Sequence, residues 1–357
     1  MKKCAAVCGI LFAVLFVCFA VSVAATGINS EGFRVAVYGF GSFFPFDDIP
    51  LDVYHTNEEY VANLAESDTV TKIDLGVSSS HVTITTAKEA DMISVHYKAG
   101  RSGIRFGCSI RNETLIVREN GFFMTLFDFG GDPSVLELVL PEREYEKINL
   151  SAASGSISAA ELVSGKFTAE FASGSGNFSV FADEIRLSAS SGSVALKNCR
   201  PDRKASSIRL DSLSGNHTVE GFLSDEFDID LASGVVTLTG ISGKGNVDLA
   251  SGHVQLDYAV WDNDLDIDAA SGKVEVRLPA ESGAFVELDA ASGGVSAELD
   301  GENASFRGDS SGKVGGGNMH RIDVDLASGS VKLMNLPDGE TAESGTPAQN
   351  HNENEEE

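Results

Sequence analysis

Six aspartates recur at one place in a repeated pattern: Asp211, Asp230, Asp248, Asp268, Asp289 and Asp325 each stand four residues before the glycine of a Ser-Gly pair. Glu170 holds the same place, while Ser151, Ser188 and Gly308 interrupt the series. Two residues further back, Asp228, Asp266, Glu287 and Asp323 add a second acidic row. Stacked carboxylates repel unless they are screened or bridged. Their chemistry is therefore that of weak divalent-cation sites, calcium first, or of a docking strip for a cationic partner, or of a plain solvated face. Paired carboxylates about 5–10 Å apart could also hydrolyse glycosides. Acids at that spacing occur in almost every copy, so no unique pair is singled out. The histidines, His55, His81, His96, His217, His253, His320 and His351, lack metal-ligand spacing, and no nucleophile elbow or phosphate loop is present. No catalytic residue, cofactor-binding residue or cofactor is assigned, and an enzyme is not expected.

The elements that carry these acids follow from the repeat itself: apolar-x-apolar-x-small-small-Ser-Gly-x-apolar-x-apolar. Its corners are Gly155, Gly174, Gly192, Gly215, Gly234, Gly252, Gly272, Gly293, Gly312 and Gly329, each after a serine, at intervals of 17 to 23 residues. A period near 20 is the signature of a solenoid. Five residues before the glycine the side chain is usually a large aliphatic (Leu150, Leu187, Leu210, Ile229, Val247, Ile267, Leu288, Val324), so it points inward. Two residues after the glycine stand Ile157, Val194, Val236, Val254, Val274, Val295, Val314 and Val331, with Gly176 and His217 as exceptions. Alternation on both sides of a corner predicts two short strands joined by a sharp bend. Glycine supplies the positive φ or the close approach. No gap holds a crossover helix, so the expected fold is all-β: a parallel β-solenoid of about 19–20 residues per coil, with coils about 4.8 Å apart. An antiparallel meander is the competing arrangement, and the turns are not of the Asn-Gly hairpin type.

The remaining segments frame this rod. Lys2 and Lys3 precede a 22-residue uncharged run, Cys4 to Ala25, which is long enough to span a bilayer. Ser22-Val23-Ala24 also suits signal cleavage. Residues 1–26 are thus read as a membrane anchor or a signal sequence, with the bulk of the chain outside the cytoplasmic membrane. Residues 27–69 are expected to form a linker and N-terminal cap, with a short helix at 57–66 from the capping-box spacing of Thr56 and Glu59. Residues 70–149 read as divergent first coils, 150–336 as the regular solenoid and 337–357 as an acidic disordered tail. Phe40, Phe43, Phe44, Phe46 and Phe122, Phe123, Phe127, Phe129 are expected to pack as the cap. Cys108 and Cys199 lie alone, so no disulfide framework is implied. With 26 Lys+Arg against 53 Asp+Glu, a net charge of −27 excludes nucleic acid as a partner.

The string VLELVLPE, then INLSAASGSISA and the repeated DLASGxVxL units, resembles the bacterial putative-adhesin β-strand-repeat family of unknown function over about residues 70–335. The resemblance implies an envelope-associated protein behind a single N-terminal span. The expected function is a non-enzymatic adhesin, binding or scaffold module, with the membrane as partner through that helix and an envelope protein or polysaccharide as a further partner. An envelope-stress sensor with a cation-responsive acidic face is one alternative, and a polysaccharide-active enzyme another.

Overall fold

Each coil is built from a leading strand, a Ser-Gly corner and a trailing strand. The computed structural model describes residues 59–64, 67–100, 105–120 and 132–337, and in them the strands wind into an all-β rod whose pairing is mostly parallel. Ser224–Leu231, for instance, pairs in parallel with Ala205–Ser212 on one side and Lys244–Leu249 on the other. Burial alternates along each strand, so Phe227, Ile229 and Leu231 line the interior while Asp228 and Asp230 lie on the outside. The aliphatic rows are in register: Leu210 opposes Ile229, which opposes Val247, which opposes Ile267. One continuous apolar core fills the rod from Val70 to Leu333.

The corners stack by backbone contact. Ser251 N–H donates to Ala232 O at 2.9 Å, and Ser271 N–H to Ala250 O at 3.0 Å. The corner hydroxyl adds a second bond in several coils, as from Ser173 Oγ to Ala153 O at 3.2 Å. Glycine is needed because a Cβ at Gly252 (φ 116°) would meet Gly234 O at 2.4 Å.

The ends of the rod depart from simple chain order. The coil 72–87 lies between the strands of 114–141 and the coil that opens with Glu144–Ala152. At the far end Asn318–Leu326 and Ser330–Asn335 slot between the coil 265–278 and the coil 282–299. The column of corners therefore runs from Gly272 to Gly329 and then to Gly293. Gly312 stands outside it: Ser310–Gly315 pairs antiparallel with Ser282–Ala290, and Glu302–Phe306 antiparallel with Gly294–Leu299. This copy carries Arg307 and Gly308 where most of the others carry an aliphatic and an acid, so the usual inward aliphatic of the leading strand is missing. Its two strands cover the last coil instead.

The opposite end is covered in the same way. Arg105–Arg111 pairs antiparallel with Thr114–Asn120, and Ile93–Lys98 with Val135–Pro141. Within 70–149 the strands 72–87, Thr114–Asn120 and Val135–Pro141 pair in parallel as coils do, and Ile93–Lys98 and Arg105–Arg111 add antiparallel pairing outside them. The helix expected at 57–66 is not formed: Glu59–Leu64 is a strand paired antiparallel with Ile93–Lys98. Tyr60, Ala62 and Leu64 alternate with the exposed Glu59, Val61 and Asn63. That period of two lets one face cover the core, and this tertiary pairing overrides the local capping signal. The N-terminal run, both phenylalanine clusters and the acidic tail from residue 338 lie outside the described residues.

Candidate functional site

The leading strands present a charged face. Strand register places Asp211, Asp230, Asp248 and Asp268 in one row, followed by Asp325 and then Asp289. Arginines from the neighbouring rows occupy its first half. Arg186 Nη2 lies 2.7 Å from Asp211 Oδ2. Arg209 spreads over three acids: Asp211 at 3.0 Å, Asp228 at 3.0 Å and Asp230 at 2.8 Å. Asp211, expected on a solvated face, is 5% exposed beneath these guanidiniums. Burial pushes the Asp230 carboxyl up to about 7, helped by the hydrogen bond with Asp211 and the charge of Asp228. Asp268 is raised as well, by burial and then by Asp248 and Asp325. Asp289 is raised chiefly by Asp309. Farther along, Arg321 holds Asp323 at 2.7 Å and Glu287 at 3.0 Å. Among the described residues no three His, Cys, Asp or Glu side chains converge on a point that could hold a metal ion. The six aspartates share a row without forming a coordination sphere.

Among the buried polar side chains, His217 and Glu119 are the ones whose surroundings bear on chemistry. His217 replaces the usual valine and is 2% exposed. Its Nε2 meets Ser212 Oγ at 2.8 Å, its Nδ1 has no partner among the described residues, and burial lowers its pKa to about 4. Glu119 is also buried. Its Oε2 accepts from Ser78 N–H at 2.9 Å and Ser79 N–H at 3.2 Å, and its Oε1 from Ser80 Oγ at 2.5 Å and Tyr97 OH at 3.2 Å. In a regular coil such corner amides donate to carbonyls of the coil before. At this corner the carboxylate of Glu119 takes that role. In the sequence, Ser78-Ser79-Ser80 stands as a corner without its glycine and gives no hint of its acidic partner.

The trailing strands present a different face, which the repeat pattern did not reveal. Ser156, Ser175, Ser193 and Asn216 form one outward row, and Ser158, Asn177, Ala195 and Thr218 the next. In a third row Lys197 and Glu220 pair with each other at 2.9 Å. The first two rows line a shallow cavity of about 290 Å³. Beneath it, the inward position Gly176 leaves room in the core for the rings of Phe178 and Phe171, and a Cβ there would stand 2.4 Å from Phe178. Ser156 Oγ hydrogen-bonds His81 Nδ1 at 2.5 Å, which closes one end of the row. No hydrogen bond within the described residues engages the side chains of Ser175, Asn177, Ser193, Asn216 or Thr218.

Three comparisons bear on this architecture. The family model described as Toastrack DUF4097 matches residues 70–334. A search of curated proteins gave no match. Among solved structures, a "putative cell adhesion protein" from Clostridium sporogenes is 11% identical, with 78% of this chain and 99% of that chain covered and a TM-score of 0.22. A "putative adhesin" from Bacteroides fragilis is 10% identical, covering 78% and 98%, at a TM-score of 0.39. A "putative lipid binding protein" from Parabacteroides distasonis is 14% identical, covering 78% and 97%, at 0.35.

Proposed function

The chain belongs to the Toastrack DUF4097 family, and from that premise we propose that it is a non-enzymatic binding or scaffold module held outside the cytoplasmic membrane, with an envelope protein or a polysaccharide as partner. The observation that carries this reading is the division of the rod into two faces. One spends its charges internally, in pairs such as Arg209 with Asp211, Asp228 and Asp230. The other leaves a trough of hydroxyl and amide groups unengaged. A repetitive surface with a shallow trough suits recognition of an extended partner. The shifted carboxyls Asp230 and Asp268 belong to the charged face and not to the trough. The uncharged run from Cys4 to Ala25 supports the placement outside the membrane.

Cross-linking in intact cells, followed by identification of what is caught, tests the module. Capture of an envelope protein or wall polymer is expected, and a chain recovered uncoupled from the soluble cytoplasm would refute it. Incubation with wall and capsular polysaccharides is expected to release no new reducing ends.

A second reading is a cation-responsive face. It draws on the neighbours Asp248 and Asp325, which raise Asp268 by their charge. A rise in melting temperature at millimolar calcium supports it, and an unchanged melt removes it.

A further inference from the structure

We infer that the trough on the trailing face is a binding site for a neutral, hydroxyl-rich linear glycan, seated across the coils that carry Ser156, Ser175, Ser193 and Asn216. The inference rests on the module reading and gives it a site. Four properties of the trough select the ligand. It is a shallow depression of about 290 Å³, open to solvent, along which the outward side chains of neighbouring coils stand in rows. It carries no net charge: Lys197 and Glu220 at its margin cancel each other at 2.9 Å. On a chain of net charge −27 such a surface neither attracts a polycation nor tolerates a polyanion well. Its outward rows carry no aromatic or large aliphatic side chain, and the aliphatics among its lining residues, Ile157 and Val194, are buried, so a lipid surface or an amphipathic helix would find little to insert against. What it offers is unspent hydrogen-bonding capacity. Asn177 and Asn216 each bring an amide donor and a carbonyl acceptor, and Ser175, Ser193 and Thr218 bring hydroxyls that do both. Parallel pairing places at least one such group in each coil, about every 4.8 Å. A polymer of neutral sugars presents the matching pattern of hydroxyls along a line.

The test uses the full chain in detergent micelles, titrated with neutral hexasaccharides of β-linked glucose and of β-linked N-acetylglucosamine, and with an acidic hexasaccharide of galacturonate as control. One or both neutral probes should bind, with an affinity indifferent to salt, because the only charged groups at the trough's margin, Lys197 and Glu220, pair with each other and His81 meets only the end of the row at Ser156. The double variant Asn177→Ala/Asn216→Ala should bind about tenfold more weakly and melt as the parent does. Lys244→Ala on the charged face should bind as the parent does. Equal binding by the double variant, preference for the acidic probe, or no binding of either neutral probe would overturn the inference. So would a dimer seen by sedimentation that Asn177→Ala/Asn216→Ala dissolves, since the trough would then belong to a second copy. Photo-cross-linkers at Asn177 and at Asp248 in intact cells separate this failure from that of the module. Capture only from Asp248 sinks the glycan site and leaves the module standing, whereas capture from neither sinks both.

Discussion

The interior of a β-solenoid tolerates a polar side chain only where its hydrogen bonds are met, and His217 meets one of two. Its Nε2 is held by Ser212 and its Nδ1 is unpaired among the described residues. The folded state disfavours the imidazolium, with a pKa near 4 against an ordinary 6.5. The unfolded chain therefore binds the proton first, and His217 withdraws stability as pH falls from 6.5 toward 4. Asp230 acts in the opposite direction. Its pKa of about 7 against 3.8 makes the folded state the better proton binder, so stability is gained as pH falls through that range. The two trends partly cancel in the parent protein. His217→Val, which restores the residue of neighbouring coils, should raise stability at pH 7 by about 1 kcal/mol and should leave the melting temperature rising on acidification. Asp230→Asn should do the reverse and expose the acid-induced loss. Melting curves from pH 4 to 8 check both, and identical pH profiles for the two variants would refute the assignment. Glu119 makes a harsher case. Glu119→Ala strands the corner donors of Ser78, Ser79 and Ser80 and the hydroxyl of Tyr97, at about 1–3 kcal/mol for each donor left unmet. A large fall in melting temperature is expected, with Glu119→Gln intermediate. A neutral Glu119→Ala would show that the carboxylate does not cap this corner.

At the scale of the element, the corner glycines are where backbone and sequence are most tightly coupled. Gly252→Ala forces a Cβ within 2.4 Å of Gly234 O at a φ of 116°. It should cost about 1–3 kcal/mol from the backbone conformation alone, which is several degrees of melting temperature for a domain of this size. Gly316→Ala, which meets nothing within 4 Å, should be silent, and equal effects at both sites would refute the stacking account. These corners were legible in the sequence because a fixed backbone shape demands glycine each time it recurs. The aliphatic rows were legible for the same reason, since a narrow interior selects Val, Leu and Ile at fixed offsets. Three features were not. Asp211 reads as an outward acid, yet arginines two residues off the row cover it, and register between coils decides that contact. The strand Glu59–Leu64 hides behind a helix-capping pattern, because its pairing with Ile93–Lys98 is remote in sequence. The trough escaped notice because Ser, Asn and Thr form no periodic signal until parallel pairing lines them up.

The whole rod poses the problem of how a solenoid protects its ends. A coil at an open end offers a bare row of backbone donors and acceptors and an apolar cross-section. Here the first and last regular coils of the domain, 72–87 and 318–335, are each placed one layer in. Antiparallel strands from the chain between cover the outermost layers. The positions nearest the domain's sequence ends are therefore flanked on both sides. This reverses the usual expectation that stability falls toward the ends of a repeat array. Native-state hydrogen exchange should find the amides of Lys72–Val77 and Asn318–Leu326 as slow as those of Ser224–Leu231 near the middle. Faster exchange should appear instead at Glu59–Leu64, Arg105–Arg111 and Glu302–Phe306, which have a strand on one side only among the described residues. Exchange reports local opening free energy, so the contrast measures the layer order directly. If Lys72–Val77 and Asn318–Leu326 were the first regular strands to exchange, the coils would be stacked in simple chain order, and the inward placement of the two ends would be wrong.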